Sequence, residues 1–167
     1  MEDGKVCLNY ITTKLKARPD YVVLFGHSIG GAVAAQLRAD HSPDGPMILD
    51  RTFSSLGAAA TSVFRSLCKA IIGFEFKRIP KFVVAGLLSS VFAGSMDVVR
   101  AWRCVSGPRL ILYHLEDVII KYKQSSIHAA LVDAKSIDDS EAIKLGLDGE
   151  AGQGNHHNLP MEKFPEY

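Results

Sequence analysis

The sequence contains few cysteines, and their spacing excludes most of the roles that cysteines play. Only Cys7, Cys68 and Cys104 occur in 167 residues. They lie far apart, and none of them stands at zinc-ligand spacing from another cysteine or from a histidine. We therefore expect reduced thiols in a reducing compartment, no metal site and no cofactor.

The sequence also lacks an excess of charge of either sign. Nineteen basic side chains stand against eighteen acidic ones, which leaves a net charge of +1. No stripe of basic residues is interleaved with aromatic residues. The balanced charge and the lack of a basic stripe argue against a nucleic-acid partner.

Long apolar runs and a targeting segment are missing as well. The apolar stretch at residues 82–95 is shorter than the roughly 20 residues that cross a bilayer, so it predicts a buried or lid helix, with an interfacial helix as the alternative. Residues 1–4 have neither the basic start nor the apolar core of a signal peptide. We expect a cytoplasmic protein without a transmembrane segment, although export without a classical signal stays open.

Strand-like apolar runs alternate with helical patterns along the chain, which predicts an α/β fold. Tyr21–Phe25 is a continuous run of β-formers, as expected for a strand that is buried on both faces. Further strands are predicted at residues 47–50, 110–113 and 143–147, and helices at 6–16, 29–39 and 122–134. Because helices join successive strands, we expect one domain over residues 1–167 with a mostly parallel sheet of about four strands.

Residues 51–107 show no strand pattern. Apolar residues at helical spacing dominate the first part of this segment, and Pro80 separates them from a second apolar stretch. We predict that the segment is a helical cap or lid inserted between two strands.

One short motif indicates chemistry: Gly26-His27-Ser28-Ile29-Gly30, between a predicted strand and a predicted helix. A chain that passes from strand to helix at one residue strains that residue, so we expect a positive φ at Ser28. Glycine at positions 26 and 30 removes clashes across the tight turn. The Ser28 hydroxyl is then presented as a nucleophile, and the backbone N–H of Ile29 is a candidate oxyanion donor.

A serine nucleophile needs a general base and a group that orients the base. In chains with this motif, the acid and then the histidine follow the serine. For the base we favour His157, after the last predicted strand, over His156, and a solvated pair of histidines without a catalytic role stays open. For the acid we favour Asp117, after the third predicted strand, with Asp50 at the end of the second as the alternative.

These features together resemble the α/β-hydrolase superfamily over most of the chain. Four segments carry the likeness: Tyr21–Gly31, Ile48–Ser55, Leu110–Ile120 and His157–Pro160. The His-Asn-x-Pro ending is also similar to lipase-like hydrolases of intracellular bacteria such as Chlamydia and Legionella. The resemblance implies a serine hydrolase that cleaves carboxylic ester or lipid acyl bonds through Ser28, Asp117 and His157.

The chain departs from this family at its start. Members usually have strands before the motif, and a loop after one of these strands supplies a second oxyanion donor. In this chain the backbone N–H of Ile29 corresponds to the first donor. The resemblance therefore implies the C-terminal part of a hydrolase fold, truncated or partial, with an apolar strand edge at Tyr21–Phe25 that is open to pairing. A non-catalytic remnant that acts as an interaction module is the alternative function.

Overall fold

The computed structural model describes residues 2–42, 44–63 and 96–145. Strands and helices alternate along the chain as predicted. Five helices lie wholly within the described residues: α1 (Glu2–Thr13), α2 (Ile29–His41), α3 (Val98–Cys104), α4 (Tyr122–Ser125) and α5 (Ile127–Asp133). The strands are β1 (Leu24–His27), β2 (Met47–Asp50), β3 (Arg109–Tyr113) and β4 (Ala142–Lys144), and short 3-10 turns at Pro19–Tyr21 and Asp139–Glu141 precede β1 and β4.

The four strands form one parallel sheet in the order β1-β2-β3-β4. In its register His27 pairs with Asp50, and Asp50 pairs with Leu112. The carboxyl ends of β1, β2 and β3 therefore lie side by side. The predicted α/β class and the parallel sheet of about four strands are confirmed.

One face of the sheet packs against α2, α3 and α5 in an apolar core. Met47, Leu49 and Ile111 of the strands are almost completely buried there. The helices contribute the only tryptophan, Trp102, and a row of small α2 residues, namely Gly31, Ala32, Ala34 and Ala35. Small side chains let α2 lie close to the sheet.

The first strand is shorter and more exposed than predicted. The chain forms a 3-10 turn up to Tyr21, and β1 begins only at Leu24. Tyr21, Val23 and Phe25 are 72%, 53% and 55% exposed, so the prediction of a strand buried on both faces is wrong. The reason is position, because β1 lies at the edge of the described sheet and lacks the neighbours of a central strand.

The helix predicted at residues 122–134 is two helices. Ser126 between α4 and α5 is extended, with φ −65° and ψ 139°, and forms an isolated antiparallel bridge with Phe53. The Ile127 N–H donates to the Thr52 carbonyl at 3.1 Å. A contact with a remote segment thus interrupts a pattern that is locally helical.

The predicted cap at residues 51–107 lies only partly within the described residues. Residues 56–63 are helical, and α3, at the other end of the segment, places Trp102 in the main core. Residues 64–95 lie outside the described residues, so the cap stays a prediction. Among the helices that are described, none has the length and apolar character needed to cross a membrane.

Helix α2 makes its closest approach near the end of β2. A Cβ atom added at Gly31 would overlap the side chain of Thr52, whereas one added at Gly30 would meet nothing within 4 Å. Glycine at position 31 is therefore required by packing, and glycine at position 30 is not.

We expect the substitution Gly31→Ala to lower the free energy of unfolding by about 1–3 kcal/mol, because the added methyl group overpacks the contact with Thr52. Gly30→Ala is the matched control, and it should leave stability unchanged or raise it by up to about 1 kcal/mol, because alanine is the better helix former. Urea denaturation followed by circular dichroism measures both. Equal effects of the two substitutions would contradict the packing described for α2.

Beside β3, buried His128 and two partly buried tyrosines, Tyr113 and Tyr122, form a cluster of three rings. The His128 ring stacks on Tyr113, with 3.8 Å between the ring centroids and 7° between the planes. Its Nδ1 lies 2.7 Å from the Tyr122 hydroxyl. Burial lowers the pKa of His128, and the nearby charge of Asp139 opposes this effect. The neutral imidazole is thus the form that the fold favours.

The lowered pKa of His128 makes stability depend on pH. The unfolded chain, in which a histidine has a pKa of about 6.5, binds the proton first. The contribution of His128 is therefore complete above this pH and is lost as the pH falls toward the lower pKa of the folded state. We expect His128→Phe, which keeps the stack on Tyr113, to flatten the decline of the melting temperature between about pH 7 and pH 5. An unchanged slope would show that another group is responsible.

Candidate active site

Ser28 lies between β1 and α2 in a conformation that few residues other than glycine adopt. Its φ is 53° and its ψ is −121°, so the positive φ expected from the motif is found. The Ser28 N–H donates to the Asp50 carbonyl at 2.9 Å, and the Ser28 carbonyl accepts from the Gly31 N–H at 3.1 Å. The residue is partly exposed at the carboxyl end of the sheet, where parallel α/β sheets bind their ligands.

The two glycines of the motif differ in what the turn demands of them. A Cβ at Gly26 would collide with the backbone of Gly30 and Gly31, as expected for a tight turn. At Gly30 a Cβ would enter open space, so the expectation that this position also needs glycine for space is wrong. Gly31, the next residue of α2, faces the core instead. The close contact there is with the side chain of Thr52.

Ile29 begins α2, directly after the serine. The N–H of the first residue of a helix has no acceptor within the helix, and the helix dipole makes this end positive. Both properties suit the oxyanion donor predicted at Ile29. The isoleucine side chain is 56% exposed, so the helix begins at the surface of the described fold.

Asp50, the alternative acid, is held by its neighbour in sequence. Its Oδ1 accepts a hydrogen bond from Nε of Arg51 and its Oδ2 accepts one from Nη2, both at 2.7 Å. The two side chains are 2% and 3% exposed. Bidentate pairs of this kind are strong and fix the plane of the carboxylate. With both oxygens engaged, Asp50 is poorly placed to orient a histidine.

Asp117, the favoured acid, lies in the loop after β3 and is 5% exposed. Its Oδ1 accepts two backbone hydrogen bonds, from the N–H groups of Ile119 and Ile120, each at 2.8 Å. These two hydrogen bonds fix the orientation of the carboxylate. A carboxylate held in this way suits the role of orienting an imidazole.

The sheet brings the serine and the acid loop to the same edge. His27, Asp50 and Leu112 lie at one level of the register. Neighbouring strands are about 4.8 Å apart, so the backbone beyond β3 runs roughly 10 Å from that beyond β1. An imidazole between two side chains bridges a gap of this size. Ser28 and the loop that carries Asp117 thus follow strand ends at the same edge of the sheet.

The predicted bases, His157 and His156, lie outside the described residues. Of the described histidines, His114 is buried, and its Nδ1 accepts from the Glu116 N–H at 3.1 Å. His128 is also buried, and it stacks on Tyr113 as described above. His27 is half-buried at the end of β1, directly before Ser28.

Arg51 is a residue of this region that sequence reasoning missed. It is 5% exposed and has a φ of 46°. The sequence signal was an adjacent pair of opposite charges, Asp50 and Arg51, at the end of an apolar strand. If two such charged side chains are buried, an ion pair between them offsets the cost of removing their charges from water.

The exposed side of the loop after β3 carries several apolar residues besides the charged Glu116. Leu115, Val118 and Ile119 are 46%, 50% and 38% exposed. A shallow cavity of about 450 Å³ is lined by Leu115, Asp117, Val118, Lys121 and Tyr122, among others. The surface beside the candidate acid therefore favours contact with an apolar group.

Comparison with known proteins identifies the fold. No protein-family model matches the sequence, and no curated protein matches it. A solved α/β-hydrolase from Vibrio vulnificus superposes with a TM-score of 0.54 at 16% identity, covering 85% of this chain and 47% of that one. A chain of the Glycosylation Associate Protein (Gap123) complex from Streptococcus agalactiae superposes with a TM-score of 0.51 at 15% identity, covering 89% of this chain and 29% of that one.

At these identities the likeness concerns the fold alone. The chain spans about half the length of the Vibrio hydrolase and less than a third of the second structure. The parallel sheet, the sharp turn at Ser28 and this similarity agree with one another. The described residues have part of the α/β-hydrolase fold.

Proposed function

We propose that this protein is a serine hydrolase in which Ser28 attacks the carbonyl carbon of a carboxylic ester or lipid acyl group. The observation that carries the proposal is the backbone of Ser28, with φ 53° and ψ −121° between β1 and α2. Strain at a hydroxyl-bearing residue, where a strand turns directly into a helix, is typical of a nucleophile elbow. The turn presents the hydroxyl at the carboxyl end of the sheet.

In the proposed mechanism, His157 accepts the Ser28 proton as the oxygen attacks and later donates it to the leaving group. His156 is the alternative base. The N–H of Ile29 donates to the oxyanion of the tetrahedral intermediate. Water then hydrolyses the acyl-enzyme with the same base, so that the serine is regenerated without a cofactor.

Asp117 is proposed as the acid that orients the histidine and stabilises the imidazolium. The contacts of the two candidate carboxylates support this choice over Asp50. Backbone N–H groups hold the Asp117 carboxylate in a fixed orientation, whereas the Arg51 guanidinium engages both oxygens of Asp50. An acid already neutralised by an arginine would contribute little to stabilising a second cation.

The proposed substrate is apolar next to its acyl carbonyl. The exposed apolar residues of the acid loop support this, as does the apolar composition of the predicted cap at residues 51–107. The finer likeness to lipase-like hydrolases of Chlamydia and Legionella and a cytoplasmic location are parts of the same proposal.

We expect a fluorescent fluorophosphonate to label the purified chain, and Ser28→Ala to abolish the labelling. Asp117→Asn and His157→Ala should slow labelling on the order of 10³- to 10⁴-fold, because each loss leaves the serine without an oriented base. In-gel fluorescence over time measures the rates. The matched control is Ser106→Ala, which removes a hydroxyl that donates to Asp44 before β3 begins and should leave the rate unchanged.

Two outcomes would contradict this assignment. Labelling that survives Ser28→Ala would move the nucleophile to another residue. A chain that is folded by circular dichroism but is not labelled at all would favour the alternative function, a non-catalytic interaction module.

The edge of β1 is the observation that favours a role in interaction. The Leu24 N–H donates to the Pro46 carbonyl at 3.1 Å, so the backbone groups of Phe25, the next residue, point away from β2. No described strand pairs with that side of β1. Together with exposed Tyr21 and Val23, this edge is suited to accept a further strand. We propose that another polypeptide strand pairs there, and in the isolated chain a second copy is the available partner.

We expect the isolated chain to self-associate at high concentration, and Phe25→Lys to shift it toward the monomer, because a charge on an edge strand opposes pairing. Val132→Lys is the matched control, since Val132 is also an exposed apolar residue, at 48%, but lies on α5. Light scattering after size exclusion measures the mass of each variant. Equal shifts for both substitutions would show that general hydrophobicity, not the β1 edge, drives association.

A further inference from the structure

A buried ion pair lies directly beside the elbow. Asp50 and Arg51 are consecutive residues, and two hydrogen bonds of 2.7 Å join their side chains. Consecutive side chains of a strand point to opposite faces and do not meet. Here they meet because Arg51 leaves the extended conformation, with a φ of 46°. The ion pair and the left-handed backbone of Arg51 therefore depend on each other.

The register places Arg51 beside the serine. His27 pairs with Asp50, so the next residue of each strand, Ser28 and Arg51, lies at the same level. Both have a positive φ, 53° and 46°. Such conformations are strained in residues other than glycine and persist only where the surroundings hold them. Two neighbouring strands thus end at one level with a strained residue each.

Backbone hydrogen bonds connect the two strained residues. The Asp50 carbonyl, which precedes the strained Arg51, accepts from the Ser28 N–H at 2.9 Å and from the Thr52 hydroxyl at 3.3 Å. The Arg51 N–H donates to the Leu112 carbonyl of β3 at 2.8 Å. A rotation of the backbone at Arg51 would therefore turn the carbonyl that holds the elbow.

We propose that the Asp50–Arg51 pair is a positioning device for Ser28. The side-chain pair holds Arg51 in its left-handed conformation, and this fixes the direction of the Asp50 carbonyl that accepts the Ser28 N–H. The orientation of the Ser28 hydroxyl follows from the orientation of its backbone. The consequence for reactivity rests on the proposed function, whereas the effect on the Ser28 backbone does not.

The test uses two variants of the full chain. Arg51→Met removes the arginine, and Asp50→Asn/Arg51→Gln makes the pair neutral, so that the second variant folds even if an unpaired buried carboxylate prevents the first from folding. Amide hydrogen exchange by NMR compares Ser28 with Leu24, whose N–H is bonded to Pro46 on the same strand. We expect exchange at Ser28 to rise at least about tenfold relative to Leu24.

The second readout is the rate of fluorophosphonate labelling, measured where each variant is fully folded. We expect a fall on the order of 10- to 100-fold, since small displacements of a nucleophile have effects of this size. Arg51→Lys keeps the charge but cannot form the bidentate pair of hydrogen bonds, so its labelling rate should lie between those of the wild type and Arg51→Met. A residue that served stability alone would not change the rate of the folded protein.

The matched control is Arg109→Met, which breaks a partly buried ion pair, 2.6 Å from Nε to Oε1 of Glu141, at the amino end of β3. It should lower stability without a selective effect at Ser28. If the Asp50 and Arg51 variants resemble this control in both readouts, the positioning role is refuted. If the wild type is not labelled but exchange at Ser28 still rises selectively, the catalytic proposal fails and the positioning role stands.

Discussion

The structure depends on one constraint, the passage from strand to helix at a single residue. Ser28 has a strained backbone conformation, and the packing of the residues around it holds it there. Gly26 leaves space for the returning backbone, and Gly31 lets α2 approach Thr52. The same bend places the hydroxyl and the first N–H groups of α2 at one end of the sheet. The proposed oxygen nucleophile and the proposed donors for a developing negative charge thus depend on one local geometry.

Two buried carboxylates near this bend have different environments, and the difference separates their roles. An adjacent guanidinium neutralises Asp50, and its carbonyl supports the elbow. Backbone N–H groups fix Asp117 in a loop with an exposed apolar side. The first environment suits a structural support and the second suits an acid that orients a base. The parallel register, not proximity in sequence, brings both residues to the site.

The sequence predicted those features that depend on residues close together in the chain. The order of strands and helices and the positive φ of Ser28 follow from hydrophobic period and from the Gly-x-Ser-x-Gly spacing. The apolar run at residues 21–25 predicted a buried strand, and only the family resemblance indicated the edge position of β1 that leaves Phe25 exposed. The break at Ser126 depends on a bridge to Phe53, which is remote in sequence. The left-handed Arg51 depends on an ion pair that only the folded backbone allows.

The central claim is that Ser28 is an activated nucleophile, and trapping of its covalent intermediate tests this most directly. The folded chain would be mixed with an activated short-chain acyl ester, quenched with acid within seconds and digested for mass spectrometry. The account predicts an acyl group on the peptide that contains Ser28, and it predicts that this group disappears as hydrolysis proceeds. An adduct at another residue, or no adduct on a chain that is demonstrably folded, would contradict it.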